Sequence, residues 1–416
     1  MLRNYFKIAL RNILRNRISS VINILGLAVG ISACVLIYMY VQNELSYDRH
    51  HVKADRIYRV TTDLNTNGQD DRLALSSYTL APLLKQNYPE VEAATRLFPV
   101  SKQTVWHGEK VSTLENVAFA DSNFFQVFDY DFLSGDPVTA LIKPRSMVVT
   151  EETAMKYFGT RDALGKVLKF AKNPFTVTGV LKNTGDRSHI NTNAFLSIAT
   201  MDTGFVSHLS GDWFLMSTYS YLVFRSPGDV ENFPERLKHF YNAHVVPWIK
   251  ELKVNSSLRY RLQPLTAIHR TTDLGYDISA NVNAAYVYIF SIVGFFILLI
   301  ASINYMNMAT ARAASRSREV GMRKVMGAGR WQLFWQFIGE SVLITLFALF
   351  LALVLTELLL PAFNVLTEDT YSLTFSGNPG FFLVLAGILL FVGFAGGSYP
   401  ALVLSSFRPI EVLKGR

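Results

Sequence analysis

The apolar positions of this chain follow two regimes. Four runs, 21–41, 284–306, 333–360 and 381–404, are dominated by Val, Ile, Leu, Phe and Ala and contain no Lys or Arg. Each approaches or exceeds the roughly 20 residues that a helix needs to cross a bilayer core. Between the first and second runs the pattern shortens. Residues 57–63, 91–98, 117–120, 146–150, 175–181 and 219–224 are rich in β-branched and aromatic side chains, as strands are. Residues 77–86, 122–128, 151–158 and 232–242 have helical spacing, with Ser122 and Thr150 as candidate N-caps. Residues 183–215 scatter Gly, Asn, Ser and His and read as loop. The predicted fold is an α-helical integral membrane protein. It has four transmembrane helices and a large α/β (α+β) extracytoplasmic domain between the first and second.

The expected division follows the runs: an interfacial helix over 1–20, spans over 21–43, 284–307, 333–361 and 381–405, and an exported domain over 44–283. A basic loop with helical potential covers 308–332, a short outer loop 362–380, and a tail 406–416. Residues 2–15 are amphipathic. Leu2, Phe6, Ala9, Leu10 and Ile13 share one helical face, while Arg3, Lys7, Arg11 and Arg15 recur every four residues on another. That suits a helix lying on the inner leaflet. A cleaved signal peptide shares the basic start, and Ile31-Ser32-Ala33-Cys34 resembles a lipoprotein cleavage site. The apolar run continues well past Cys34, however, so a retained span is expected. Cys34 is the only cysteine, so the exported domain is held by its own core and not by disulfides.

Charge decides the orientation. The formal net charge is +8, yet residues 44–283 balance 26 basic against 26 acidic groups. The excess lies in 1–20, in the loop after the second run and in the tail. These are the segments that the positive-inside rule keeps in the cytoplasm. Both termini are therefore expected inside, and the basicity marks a membrane topology and not a nucleic-acid surface.

Little in the exported domain asks for chemistry. All eight histidines lie there, but without ligand-like spacing they are expected to be solvated and not metal-bound. Gly159 to Lys166 imitates a phosphate loop with one residue too many, followed by Val167 where Ser or Thr belongs. Asp121, Asp129 and the Glu151–Glu152 pair suit a solvated surface or a helix start better than acid–base work. No catalytic residue, metal or cofactor is expected in this chain.

The stretch SREVGMRKVMG, residues 317–327, is different. It lies between two spans, makes two or three helical turns, and offers Val320, Met322, Val325 and Met326 as an apolar face. Gly327 and Gly329 punctuate its end. It is either a docking helix for a cytoplasmic partner or only a retention signal. Within the spans, Glu340 on the third is the ionisable group of interest, with Gln336 one turn earlier or Asn304 and Asn307 as candidate partners. The small residues Gly26, Gly30 and Ala33 in the first span suggest a dimer interface.

Several segments resemble one family in register. ALRNILRNRISSVINILGLAVGISA looks like the opening helix and first span of the MacB/FtsX superfamily of ABC-transporter permeases. DSNFFQVFDYDFLSGDP, SMVVTEETAMKYFG, DALGKVLKF and FTVTGVLKN resemble its MacB-type periplasmic core. SREVGMRKVMGAGRWQLFWQFIGES resembles its cytoplasmic loop and third span, and SYPALVLSSFRPIEVLKG its closing segment. The resemblance implies a bacterial cytoplasmic-membrane permease driven by a separate ATPase subunit, which alone binds ATP and Mg. The coupling residues carried over are Glu319, Gly321, Arg323, Lys324 and Gly327. It also implies a second permease copy or homologous half, and in efflux systems a periplasmic adaptor and an outer-membrane channel. MacB proper fuses its ATPase ahead of the permease, and this chain begins directly at the interfacial helix. The alternative function is a non-transport membrane sensor or regulator of an envelope enzyme.

Overall fold

The computed structural model describes residues 17–406 except 101, 171–172, 184–186, 280 and 374–378, and at 17, 19, 312–319, 404 and 406 the backbone alone. The expected interfacial helix (to residue 16) and the tail from 407 lie outside the described residues. The chain divides into two units, residues 43–284 and the flanking remainder.

The helices in chain order are α1 (Arg17–Ser46), α2 (Leu80–Asn87), α3 (Phe124–Val127), α4 (Glu151–Phe158), α5 (Thr203–Gly211), α6 (Phe233–Phe240), α7 (Val246–Leu252), α8 (Ala284–Val325), α9 (Arg330–Thr367) and α10 (Pro379–Ser406). The strands are β1 (Ile57–Thr66), β2 (Gln69–Leu73), β3 (Ser76–Ser77), β4 (Val91–Val100), β5 (Gln103–His107), β6 (Lys110–Leu114), β7 (Val117–Ala120), β8 (Phe132–Gly135), β9 (Ser146–Thr150), β10 (Val167–Phe170), β11 (Asn173–Leu181), β12 (Ala194–Ser197), β13 (Met216–Phe224) and β14 (Ser256–Pro264).

The unit over 43–284 is built on one sheet in the order β14-β1-β13-β4-β7-β12-β9-β11-β10-β5-β6. Pairing is antiparallel except for β11 on β9 and β12 on β7. Side chains alternate between the faces of a strand, and β13 shows the consequence. Tyr219, Tyr221 and Val223 join Phe124, Phe128 and Phe195 in one core. Leu222 and Phe224 join Leu80, Leu84, Phe233 and Phe240 in another. A third core, with Val105, Met147, Val149, Leu168 and Val177, fills the other half of the sheet.

Local signals placed several elements. Thr150 caps α4 by accepting from Thr153 N, and Gly159 ends it at φ +67, the left-handed position that glycine occupies without a Cβ clash. Ser122 is not a cap. Asn123 precedes the single turn of α3 and makes no side-chain cap. The stretch 183–215 is not all loop, since it holds β12 and α5. Asp202 caps α5 by accepting from Gly204 N and Phe205 N.

In the other unit, α1, α8, α9 and α10 are long and apolar enough to cross a membrane. Leu27, Ile31, Val35, Tyr305, Ile344, Ala348, Ala352 and Val392 pack between them. Ser32 and Thr356 share a hydrogen bond of 3.0 Å across α1 and α9. Close approach at α10 depends on glycine: a Cβ on Gly397 would lie 2.6 Å from Ser341 Oγ, and one on Gly393 2.9 Å from Val342 Cγ2.

Two expected helix ends are not helix ends. α8 has 42 residues and α9 has 38, about 63 and 57 Å at a rise of roughly 1.5 Å per residue. A bilayer core is only about 30 Å thick. The second run therefore continues unbroken into the basic stretch, and the third continues through Pro361 to Thr367.

Candidate functional site

The basic stretch is the last part of α8, not a separate short helix. Besides Ser315, Ser317 and Gly321 it consists largely of Ala, Arg, Lys, Met and Glu, which are good helix formers, so the charge that ends the apolar run does not end the helix. What ends it is Gly327 at φ +96. Its N–H donates to Lys324 O (3.0 Å) and that of Ala328 to Arg323 O (2.9 Å). That is a Schellman closure with glycine at the left-handed position. Two residues later Gly329 N donates to Gln332 Oε1 (3.2 Å) as α9 begins.

Three helices meet there. Val320, Leu333, Phe337, Ile338 and Ala401 form a small core. Arg323 Nη1 donates to Gln336 Oε1 on α9 (3.1 Å), and Lys324 Nζ donates to the carbonyl of Ser405 on α10 (2.6 Å). Burial, with Arg330 nearby, holds the Lys324 ammonium below its ordinary pKa. Gly321 is buried. The structure thus brings Gly321, Arg323, Lys324, Gly327 and Gln336 together. Glu319 lies in α8, and its side chain is outside the described residues.

Two expectations change. The apolar side chains of the stretch do not form one packed face: Val320 is buried, whereas Met322, Val325 and Met326 are exposed, as are Trp331 and Trp335 on α9. Gln336 also does not pair with Glu340: its oxygen accepts from Arg323, and its Nε2 is buried without a hydrogen-bond partner among the described residues. Glu340 is half-buried one turn further along α9. An apolar, aromatic surface rimmed by Arg323, Lys324 and Arg330 therefore caps a joint of three helices.

The dimer residues divide. Gly30 is buried against α8 of its own chain, where an added Cβ would come 2.8 Å from Ala301 Cβ. It is an intrachain contact. Gly26 is exposed and Ala33 half-buried.

The unit over 43–284 contains polar residues that sequence reasoning missed. His51, His189 and His269 are not solvated but buried, because each meets partners brought from distant segments. His189 bridges Asp48 (2.9 Å) and the Tyr221 hydroxyl (2.8 Å). His269 meets Glu44 at 2.9 Å, and His51 Nδ1 accepts from Asp129 N at 3.0 Å. Burial, then the neighbouring His50, pushes His51 down to about 3. For Asp48, burial acts upward, but the charge and hydrogen bonds of His189 outweigh it and hold the carboxyl below its usual range. Asp121 is no solvated acid either: it forms a bidentate pair with Arg96. The imitation phosphate loop has no free amide cradle at its end, since Gly165 N donates to Val177 O and Lys166 N to Ala163 O. Among the described residues no cluster of His, Cys, Asp and Glu could hold a metal.

A large α/β unit inserted between long apolar helices, with a basic joint where three of them meet, defines a membrane permease architecture. Residues 20–240 match the MacB-like periplasmic core domain and residues 291–409 the FtsX-like permease C-terminal domain. The chain belongs to the MacB/FtsX family of ABC-transporter permeases. It is similar to the macrolide export ATP-binding/permease protein MacB of Campylobacter jejuni, 25% identical over 256 residues that cover 61% of this chain and 36% of that one. The uncharacterized ABC transporter permease YknZ of Bacillus subtilis is 23% identical and covers 82% of each chain. A solved domain of a putative permease protein from Porphyromonas gingivalis aligns with a TM-score of 0.43 and 24% identity, covering 54% of this chain and 94% of that one. The chain spans between 36% and 60% of the length of the MacB relatives.

Proposed function

We propose that this chain is the permease subunit of a MacB/FtsX-type ABC transporter in a bacterial cytoplasmic membrane, with both termini in the cytoplasm. It couples ATP hydrolysis on a separate cytoplasmic subunit to motion of the exported domain, for efflux, export or lipoprotein and cell-envelope work. ATP and Mg are assigned to that partner, as the family resemblance implies. A second permease copy or homologous half completes the assembly.

One observation carries the reading. α8 is a single 42-residue helix that starts where the exported unit ends and finishes in the Schellman-closed joint. The Arg323–Gln336 and Lys324–Ser405 bonds tie that joint to α9 and α10. A partner pressing on Met322, Val325, Met326 and Trp331 therefore loads a continuous helical rod as far as Ala284. Glu319 and Lys324 set the orientation of the partner by charge.

The test is co-purification of the ATPase with full-length Glu319→Lys and Lys324→Glu permeases at matched membrane levels. A loss of about 1.4 kcal/mol in contact energy reduces recovery about tenfold. Lys324→Gln separates the lost Ser405 bond from charge reversal. If both charge-reversed variants retain wild-type ATPase and transport activity, the joint is only a topological anchor.

A further inference from the structure

The fifteen residues between Ile268 and Ala284 connect the sheet to α8, and they are held unlike the rest of the exported unit. Leu274 and Ile278 pack against the core of the sheet but are only partly buried, and no described apolar side chain among them is fully buried. The deeply buried side chains are polar: His269, and Asp277 at 6% exposure. His269 pairs with Glu44 in the last turn of α1 and stacks flat on Tyr47, ring centroids 3.4 Å apart. Asp277 takes a two-pronged bond from the fully buried Arg59 on β1, at 2.5 and 2.8 Å. Arg59 also donates twice to Gln263 Oε1. Backbone bonds join Gly275 N to Arg72 O and Ala74 N to Gly275 O, and Tyr219 donates its hydroxyl to Tyr276 O.

The docked arrangement carries visible costs. Tyr276 sits at φ +58, a region that disfavours a residue with a bulky side chain. Its ring is exposed, so no packing offsets the strain. His269 Nδ1, Gln263 Nε2, Ser279 Oγ and Asn281 Oδ1 are buried without a hydrogen-bond partner among the described residues, and unpaired buried polar atoms are costly. A buried ion pair contributes little net stability against the hydration of its two ions. Undocking the whole segment returns Arg59 and Asp277 to water together, whereas neutralising one of them strands the other.

We propose that residues 269–283 are a strap that undocks from the sheet as a unit, with Arg59–Asp277 and Glu44–His269 as its two latches. In the permease proposed above, the strap is the stretch of chain that leads from the sheet into α8, so its undocking lengthens that connection. That use rests on the permease reading; the undocking does not.

The test is hydrogen–deuterium exchange of the full-length protein in lipid nanodiscs, without ATP or partner, so its outcome is independent of ATPase docking. In the wild type, the Gly275 and Val282 amides exchange at least tenfold faster than those of β13. Asp277→Asn speeds the strap about tenfold further and leaves β4 and β13 unchanged. The paired variant Arg59→Met with Asp277→Leu replaces the ions by apolar groups and slows the strap below wild type. Tyr276→Gly, which accepts the left-handed conformation, also slows it. Exchange of the strap in step with β13, acceleration of the whole sheet by Asp277→Asn, or a looser strap in the apolar pair would each overturn the proposal.

Discussion

The tightest helix contact in the apolar unit gives a sharp test of its packing. At Gly396, an added Cβ would lie 2.7 Å from Tyr305 Cε1 and closer still to Cδ1, against an optimum of about 3.5–4.0 Å between carbons. Tyr305 is only 3% exposed, so its ring must push into neighbours to make room. Gly396→Ala therefore overpacks the interface, at a cost of about 1–3 kcal/mol. Helix propensity acts in the opposite direction by about 0.8–1.0 kcal/mol for glycine to alanine. Gly387 on the same helix has nothing within 4 Å of its would-be Cβ. Gly387→Ala thus reports propensity alone, and the difference between the two variants isolates the clash. The assay is thermal unfolding of full-length protein in detergent, with membrane levels as a second readout. Gly396→Ala should be the less stable of the two by about 1–3 kcal/mol, and adding Tyr305→Ala should relieve part of the cost non-additively. Equal melting of the two single variants would refute the placement of α10 against Tyr305.

The remaining predictions are shorter. His51, pushed down to about 3, stays neutral when folded while the unfolded residue binds a proton near pH 6.5. Its contribution to stability therefore falls by up to about 1.4 kcal/mol per pH unit below that value. Denaturant unfolding of His51→Asn at pH 7, 6 and 5 should lose that slope, and an unchanged slope rules the assignment out. Asp48 has the opposite sign: its folded pKa is depressed, so its stabilisation holds at neutral pH and disappears only below about pH 4. Asp48→Asn should flatten unfolding curves in that acid range alone. In a Cys34→Ser background, Gly30→Cys with Ala301→Cys should form a disulfide within one chain; a covalent dimer on a non-reducing gel contradicts the intrachain packing. A reporter after Gly415 should be active only in its cytoplasmic form and one near Gly228 only in its exported form, and either opposite result inverts the topology.

What was legible in the chain follows from how locally each feature is encoded. Unbroken apolar runs of span length announce themselves, and all four became helices. β7 and β9 occupy the bounds that their apolar pattern indicated, and α4 does so because Thr150 and Gly159 mark both of its ends. β2 and β14 were missed because QDDRL and SSLRYRLQP hide a strand's alternation beneath charged, solvent-facing side chains. The reach of α8 was underestimated for a related reason, since hydropathy marks where lipid ends and propensity decides where a helix ends. Gly327 was readable as punctuation, and its left-handed closure gives the physical cause.

Pairings across the sheet are a different kind of information. Nothing near Asp48 or Glu44 announces His189 or His269, which lie 141 and 225 positions away. A lone Arg59 within the apolar run of β1 was the one available hint, because an inward-facing arginine requires a buried acceptor. Small-residue stripes carry an ambiguity of their own. Gly26, Gly30 and Ala33 have the same spacing whether they meet a helix of their own chain or a second copy. Only the position of Ala301 against Gly30 decides between them. Any pairing of copies through α1 must therefore use the face that carries Ile18, Val21, Ile22, Leu25 and Val29, which stays exposed, and not the one that holds Gly30.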